Sequence, residues 1–409
     1  MPSLWEKKLL RLIKLFAIIM LITISEGGMN TTFPPYLELL GVSVSKIGLI
    51  VSLLGVMSLL ARLPSGAMYS GKRAKMLLSS ALGLLALSMA GLALNSGRSY
   101  IVFLTLLHGL AFGAATTIML ALAIELKPDG RSHGSTMGLY TASISAGYAI
   151  GSSLIGFLAD RFGFQTGFGA MGAFPFMAIL LVGALPNVSS PIPVEPGRKP
   201  ERIDSGGRRK WKIDLSSLTP TIFLATLVAF YINFLDDAVG TFFPIFGLSI
   251  GLSLTVIGGL RSVKSLAATG IRPISGFFFK YLDFRLLNHL AILLWSLVVV
   301  LFPGMRLAWM FLIAFVIAGI SRGLIRVTSA TMVAEENGKR TANLGLASGI
   351  YNSGLDLGAF AGPIAGGFVA STFGIPAMFR VVPVGLFVAF LLASFLVNQV
   401  EKSASQAVS

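Results

Sequence analysis

Residues 26–48 read EGGMNTTFPPYLELLGVSVSKIG, and residues 236–258 read DDAVGTFFPIFGLSIGLSLTVIG. They align without a gap at an offset of 210 residues. Acid falls on acid (Glu26, Asp236), Thr31 on Thr241, Phe33-Pro34 on Phe243-Pro244, Gly41 on Gly251 and Ile47-Gly48 on Ile257-Gly258. The register continues through Arg62/Arg272, Ser65-Gly66/Ser275-Gly276, Gly109/Gly319 and Gly113/Gly323. After one inserted residue it resumes as Gly138/Gly349, Tyr140/Tyr351, Gly147/Gly358, Gly151/Gly362 and Phe162-Gly163/Phe373-Gly374. Apolar bias alone does not place glycine, proline and charge at one fixed offset, so the chain reads as a duplication. A finer echo links GFLADRFG (156–163) and GFVASTFG (367–374) to the segments starting at Gly66 and Gly276. Each half therefore reads as two three-helix units.

Composition sets the environment. Of 409 residues, 55% are hydrophobic and 12% charged, about half the charged share of a soluble domain. That excludes a water-soluble fold. Apolar runs bounded by loop residues predict twelve membrane helices, over 12–36, 44–69, 73–95, 99–126, 132–159, 165–186, 217–246, 254–280, 283–303, 306–335, 341–370 and 375–399. The first run follows Lys7, Lys8, Arg11 and Lys14 but leads into Glu26-Gly27-Gly28 with no small-x-small cleavage site, so it reads as an uncleaved helix. The domain reading is a six-helix half (1–186), a linker (187–216), a second half (217–400) and a tail (401–409). The linker sequence, rich in proline, glycine, serine and charge, reads as a flexible connector along anionic headgroups.

The formal charge of +15 comes from 32 basic and 17 acidic residues. With both termini inside, 21 basic residues fall in cytoplasmic segments and five outside; six lie within helices. That bias orients the protein with cytoplasmic termini in a plasma (inner) membrane. The charge excess is thus a topology signal and does not point to nucleic acid. With no cysteine and only His108, His133 and His289, disulfides and a histidine metal cluster are excluded, and no cofactor is expected.

The repeat and the glycine pattern resemble the major facilitator superfamily. The superfamily's motif G-x8-G-x3-GP-x2-GG is complete at Gly349, Gly358, Gly362, Pro363, Gly366 and Gly367. The fifth helix carries Gly138, Gly147, Gly151 and Gly156, with Ser152 in the proline position. The cytoplasmic signature G-x3-D-R-x-G-R is degraded at Gly66, where Ser70 replaces the aspartate, and at Gly276, where Lys280 does. The resemblance implies an all-α membrane protein of two pseudo-symmetric six-helix halves, with helices 1, 4, 7 and 10 bordering a central cavity. It also implies alternating access. Arg62, Gly66, Arg272 and Gly276 are then expected at gates, and the motif-bearing residues of helix 11 at helix contacts and the Pro363 bend.

Residues 66–73, GAMYSGKR, approach a phosphate-binding loop but place Arg73 where a magnesium-binding hydroxyl is needed. The segment also ends a membrane helix and follows no strand. ATP is therefore not expected, and an ion gradient is the expected energy source.

Charges within the helices carry the functional reading. Each costs about 2.5–3.5 kcal/mol near the bilayer centre, so eight would cost roughly 20–28 kcal/mol facing lipid. They are Glu26, Asp236, Asp237, Arg261, Lys264, Arg322, Arg326 and Asp356. Glu26, Asp236 and Asp237 are candidate proton carriers, since a desolvated carboxylate can load and release a proton as access changes. Arg322 and Arg326, at i and i+4, share a helix face and need something anionic between them. With Lys264, Asp356 and His108 they form the candidate substrate site. Asp356 reads equally as a tether between helices 10 and 11. The repeat counterparts of Lys264, Arg322, Arg326 and Asp356 are Leu54, Phe112, Thr116 and Ser145, so charge concentrates in the second half.

The sequence thus predicts a monomeric, gradient-driven transporter of a small organic solute. Proton-coupled export of an amphiphilic or anionic compound leads, with proton symport for anion uptake as the alternative. A non-transporting receptor or scaffold of the same fold is the other class. No enzyme constellation is present.

Overall fold

The computed structural model describes residues 4–94, 97–125, 133–185, 219–278, 281, 283–339 and 344–406. The expected linker, 187–216, lies outside the described residues, as do the last three residues of the tail. The described chain is all helical: α1 Leu4–Leu39, α2 Val44–Met68, α3 Ala74–Leu92, α4 Arg98–Glu125, α5 His133–Phe162, α6 Phe164–Gly183, α7 Pro220–Ser249, α8 Leu254–Phe278, α9 Phe284–Leu301, α10 Ala308–Lys339, α11 Leu344–Phe373 and α12 Ile375–Gln406. Ten of the twelve are long and apolar enough to cross a membrane by length and composition. α8 and α11 fall short of the twelve spans expected. Arg261, Lys264 and Arg272 dilute the apolar character of α8, and glycines with Asn352 and Asp356 do so in α11.

Local chemistry fixes the helix boundaries. Thr219 caps α7 by accepting a hydrogen bond from the Ile222 amide at 3.3 Å, with Pro220 in the first turn. Asp283 accepts from the Arg285 amide at 3.0 Å to start α9. The turns after α1 and α7 pass through Gly41 (φ +70°) and Gly251 (φ +88°), a backbone region that side chains disfavour. They occupy matching positions in the repeat. The same correspondence governs a hydroxyl bond inside each helix, Thr31 to the Gly27 carbonyl and Thr241 to the Asp237 carbonyl.

Within each half, α1 packs on α5 and α7 on α11, α2 on α4 and α8 on α10, α3 on α6 and α9 on α12. Small residues permit the close approach. A Cβ on Gly27 would lie 2.5 Å from the Tyr148 carbonyl, and Cβ atoms on Gly358 and Gly362 would strike the backbone of α7 at Phe230 and Phe234. By contrast, a Cβ on Gly66 would meet nothing nearer than 3.9 Å.

The halves meet along two seams, α5 against α8 and α2 against α11, which match at two rungs. Gly48 abuts the Pro363 carbonyl and Gly258 the Ser152 carbonyl. One rung further, Ser52 donates to the Phe360 carbonyl at 2.8 Å, and Ser262 donates to the Ala149 carbonyl. At the end of α5, the Thr255 hydroxyl donates to Asp160 at 2.6 Å. These bonds gather toward the end that carries the Gly41 and Gly251 turns, which closes the bundle there. Arg322, halfway along α10, keeps 34% of its side chain exposed, so water enters from the opposite end.

Candidate functional site

The centre of the bundle holds two charged groups on facing walls. On the first-half wall, Glu26 of α1 accepts a hydrogen bond from His108 Nε2 of α4 at 2.9 Å. Both side chains are buried, and His108 Nδ1 has no partner among the described residues. A carboxylate of α1 and an imidazole of α4 are thus in direct contact inside the bundle.

On the second-half wall, Asp236 of α7 is clamped by two cations. Lys264 of α8 donates to Asp236 Oδ1, and Arg322 of α10 contacts Oδ2 at 2.5 Å. The Lys264 ammonium also lies 5.6 Å from the centre of the Trp295 ring on α9, within cation–π range. Asp237, one residue on, is half-buried; its carboxylate makes no hydrogen bond or ion pair among the described residues. The charges acting on it include Asp236, Arg322, Lys264 and Arg326.

Arg326, one turn beyond Arg322, donates to the side-chain oxygen of Asn233 at 3.2 Å. Asn233 is itself held by donating to the Leu355 carbonyl at 2.9 Å. Among the described residues, no carboxylate pairs with Arg326. Arg261 donates to the Gly240 carbonyl at 2.8 Å and likewise has no acid partner among them. This wall therefore carries four cations, Arg261, Lys264, Arg322 and Arg326, against two carboxylates, Asp236 and Asp237. Of these side chains, Arg322 keeps 34% of its surface exposed.

The structure brings together Asp236, Asp237, Lys264, Arg322 and Arg326. Glu26 and His108 form a separate pair. Asp356 contacts Arg62 of α2 at 3.5 Å, across the seam between the halves. Gly276 lies near the end of α8 and Gly349 in the first turns of α11; Gly366 faces the Phe242 ring, and Gly367 faces the start of α2.

Three residues emerge only in the structure. Asn233 orients Arg326, and its signal in sequence is its place one turn before the paired aspartates. Trp295 backs Lys264. Tyr148 of α5 lies within electrostatic reach of Glu26, Asp237, Arg261 and Arg322, and so stands between the two walls. Its only mark in sequence is its position beside Gly147. A groove of about 330 Å³ lined by Leu37, Val42, Lys46 and Ile101 lies at the closed end, away from these charges. Among the described residues no histidine and carboxylate cluster has the makings of a metal site.

Long apolar helices with charges paired at mid-bundle define a polytopic membrane protein. The sequence comparison then fixes the family: the chain belongs to the Major Facilitator Superfamily, whose model matches residues 15–344 and 290–408. It is 33% identical over 95 residues to the multi-drug resistance efflux pump PmrA of Streptococcus pneumoniae, a match covering 23% of either chain. Among solved structures it resembles a bacterial homologue of the human lysosomal transporter Spinster, inward-facing and unoccupied. That likeness has a TM-score of 0.71 and 13% identity, covering 97% of this chain and 96% of the other. The nucleoside transporter NupG gives 0.74 at 14% identity, covering 94% and 98%. The family puts the chain among membrane transporters of small molecules rather than enzymes.

Proposed function

We propose that this protein is a proton-coupled secondary transporter that moves an amphiphilic organic anion by alternating access. The observation that carries this reading is the Arg326 guanidinium, held by the Asn233 amide and unpaired with any carboxylate among the described residues. It stands one turn from Arg322, whose side chain water reaches. An acid headgroup fits between the two arginines, and bidentate guanidinium geometry suits carboxylate, sulfonate or phosphate. The facing wall supplies Phe112, stacked with His108 at 6.3 Å between ring centres, and the α7 side supplies Phe230 and Phe234. These surfaces suit an apolar body.

The protein works as a monomer without ATP, in the plasma (inner) membrane with both termini cytoplasmic, by the charge bias of its loops. Protons are carried by the Glu26–His108 pair and by Asp237. Asp236 is occupied by its two cations and serves as their anchor. Export is the leading direction, in keeping with the similarity to an efflux pump over 95 residues. One observation favours the alternative, proton symport in the uptake direction: protonating the unpaired Asp237 removes a negative charge that competes with the substrate anion.

The test is transport by the purified protein in proteoliposomes under inward and outward pH gradients, with Arg322→Ala and Arg326→Ala beside it. Anion flux lost in both variants supports the reading. Alkalinisation of the compartment losing the substrate indicates symport, and acidification indicates antiport. Unchanged flux of every transported anion in both variants contradicts it.

A further inference from the structure

The two seams between the halves match for two rungs and then part company. Gly48 on Pro363 answers Gly258 on Ser152, and Ser52 with Phe360 answers Ser262 with Ala149. The next pair toward the open end is Arg62 with Asp356 in one seam. In the other seam the corresponding residues are Arg272 and Ser145: the cation is kept and the acid is missing. Ser145 is buried, its hydroxyl turned back to the Thr141 carbonyl at 3.1 Å and its own carbonyl accepting from Ser265 at 3.0 Å. Among the described residues no acid there answers a guanidinium.

Arg272 is accordingly left over. Its guanidinium makes no hydrogen bond or ion pair among the described residues, it is half-buried, and the charges acting on it are Arg322 and Arg326. It lies on α8 nearer the open end than Lys264. Three arginines thus run from the mouth to the centre, Arg272, Arg326 and Arg322, and among the described residues no carboxylate pairs with the outer two. A cation kept near two like charges is unfavourable unless an anion joins them.

We propose that Arg272 is an anion-capturing residue at the open mouth of the cavity, freed for that role by Ser145, which binds the acid group of the substrate before it reaches Arg322 and Arg326. The inference rests on the anionic-substrate reading above and adds a site to it. A carboxylate, sulfonate or phosphate headgroup meets Arg272 first and exchanges it for the deeper pair as it moves inward. A charge at the rim acts chiefly on the association rate and its salt dependence, whereas the deeper pair sets dissociation.

The experiment is stopped-flow binding of the aryl sulfonate 8-anilinonaphthalene-1-sulfonate to the full chain in neutral-lipid nanodiscs, at low and high salt. Arg272→Gln should slow association about three- to tenfold at low salt, flatten its salt dependence and leave dissociation within about twofold. Arg272→Lys should retain most of the wild-type rate. Restoring the missing acid with Ser145→Asp should slow association as Arg272→Gln does, and should add nothing in the Arg272→Gln background. Unchanged association in Arg272→Gln, alongside binding lost in Arg326→Gln, overturns the capture site and leaves the deeper site standing. Binding unaffected by Arg326→Gln overturns the anionic-substrate reading itself. Slowing by Ser145→Asp that persists undiminished in Arg272→Gln overturns the pairing.

Discussion

Replacing Asp236 with asparagine keeps the shape of the side chain and removes the one charge that Lys264 and Arg322 share. Asp236 is 6% exposed, and the Lys264 and Arg322 side chains are 12% and 34% exposed. Breaking a buried pair by deleting one partner costs about 3–5 kcal/mol, because the other charge is left uncompensated. Water at Arg322 screens part of that cost, which places the expected loss near the lower bound, about 3 kcal/mol. For a cooperative unit the size of one half, that lowers the apparent melting temperature by roughly 6–12 °C. The assay is thermal unfolding of the purified protein followed by tryptophan fluorescence, since Trp295 lies 5.6 Å from the Lys264 ammonium and reports locally. Adding Lys264→Met to Asp236→Asn removes the more deeply buried orphan and should recover at least about half of the loss, a coupling typical of direct contact. An Asp236→Asn protein melting within about 1 °C of wild type, or no recovery in the double variant, refutes the reasoning.

Other expectations concern the seams, the packing and the protons. Gly27→Val drives a side chain into the Tyr148 backbone and should destabilise by about 1–3 kcal/mol, read as a lower melting temperature; Gly66→Ala, in open space, should melt as wild type does. Thr255→Val removes the hydroxyl donated to Asp160 at the closed end. It should shift the balance of open states by about 1 kcal/mol or less, visible as faster labelling of a single cysteine placed at the closed mouth of this cysteine-free chain. Asp237→Asn should make anion binding less dependent on pH while preserving affinity at the acid end of the profile, measured by equilibrium titration. Glu26→Gln should uncouple flux from the pH gradient while leaving anion binding intact, measured as exchange in the absence of a gradient.

The helices were legible because their signal is local: long apolar runs broken by loop residues, with Gly41 and Gly251 recurring at the repeat offset. The duplication also marked the halves as pseudo-symmetric, and the seams α5 on α8 and α2 on α11 follow that correspondence. Partner choice was not legible. Glu26 and His108 are separated by 82 residues and meet because α1 and α4 cross in the bundle. Of the adjacent Asp236 and Asp237, sequence puts Asp236 first as a proton carrier, yet Asp236 is the one clamped by Lys264 and Arg322, because the directions the two take from α7 are set by packing. Asp356 carries no mark that it reaches Arg62 across the seam rather than α10 beside it. Asn233 and Tyr148 are ordinary residues in an apolar run, and only the neighbours that packing assigns them give them work.

The most direct measurement is selectivity by charge reversal at Arg326. Two probes sharing one aromatic body, one bearing a sulfonate and the other a quaternary ammonium, are offered to proteoliposomes of the wild type and of Arg326→Glu. Wild-type protein should accumulate the sulfonate and ignore the ammonium, and Arg326→Glu should lose the sulfonate and gain the cation. Equal handling of both probes by both proteins would contradict a cationic substrate site on α7, α8 and α10.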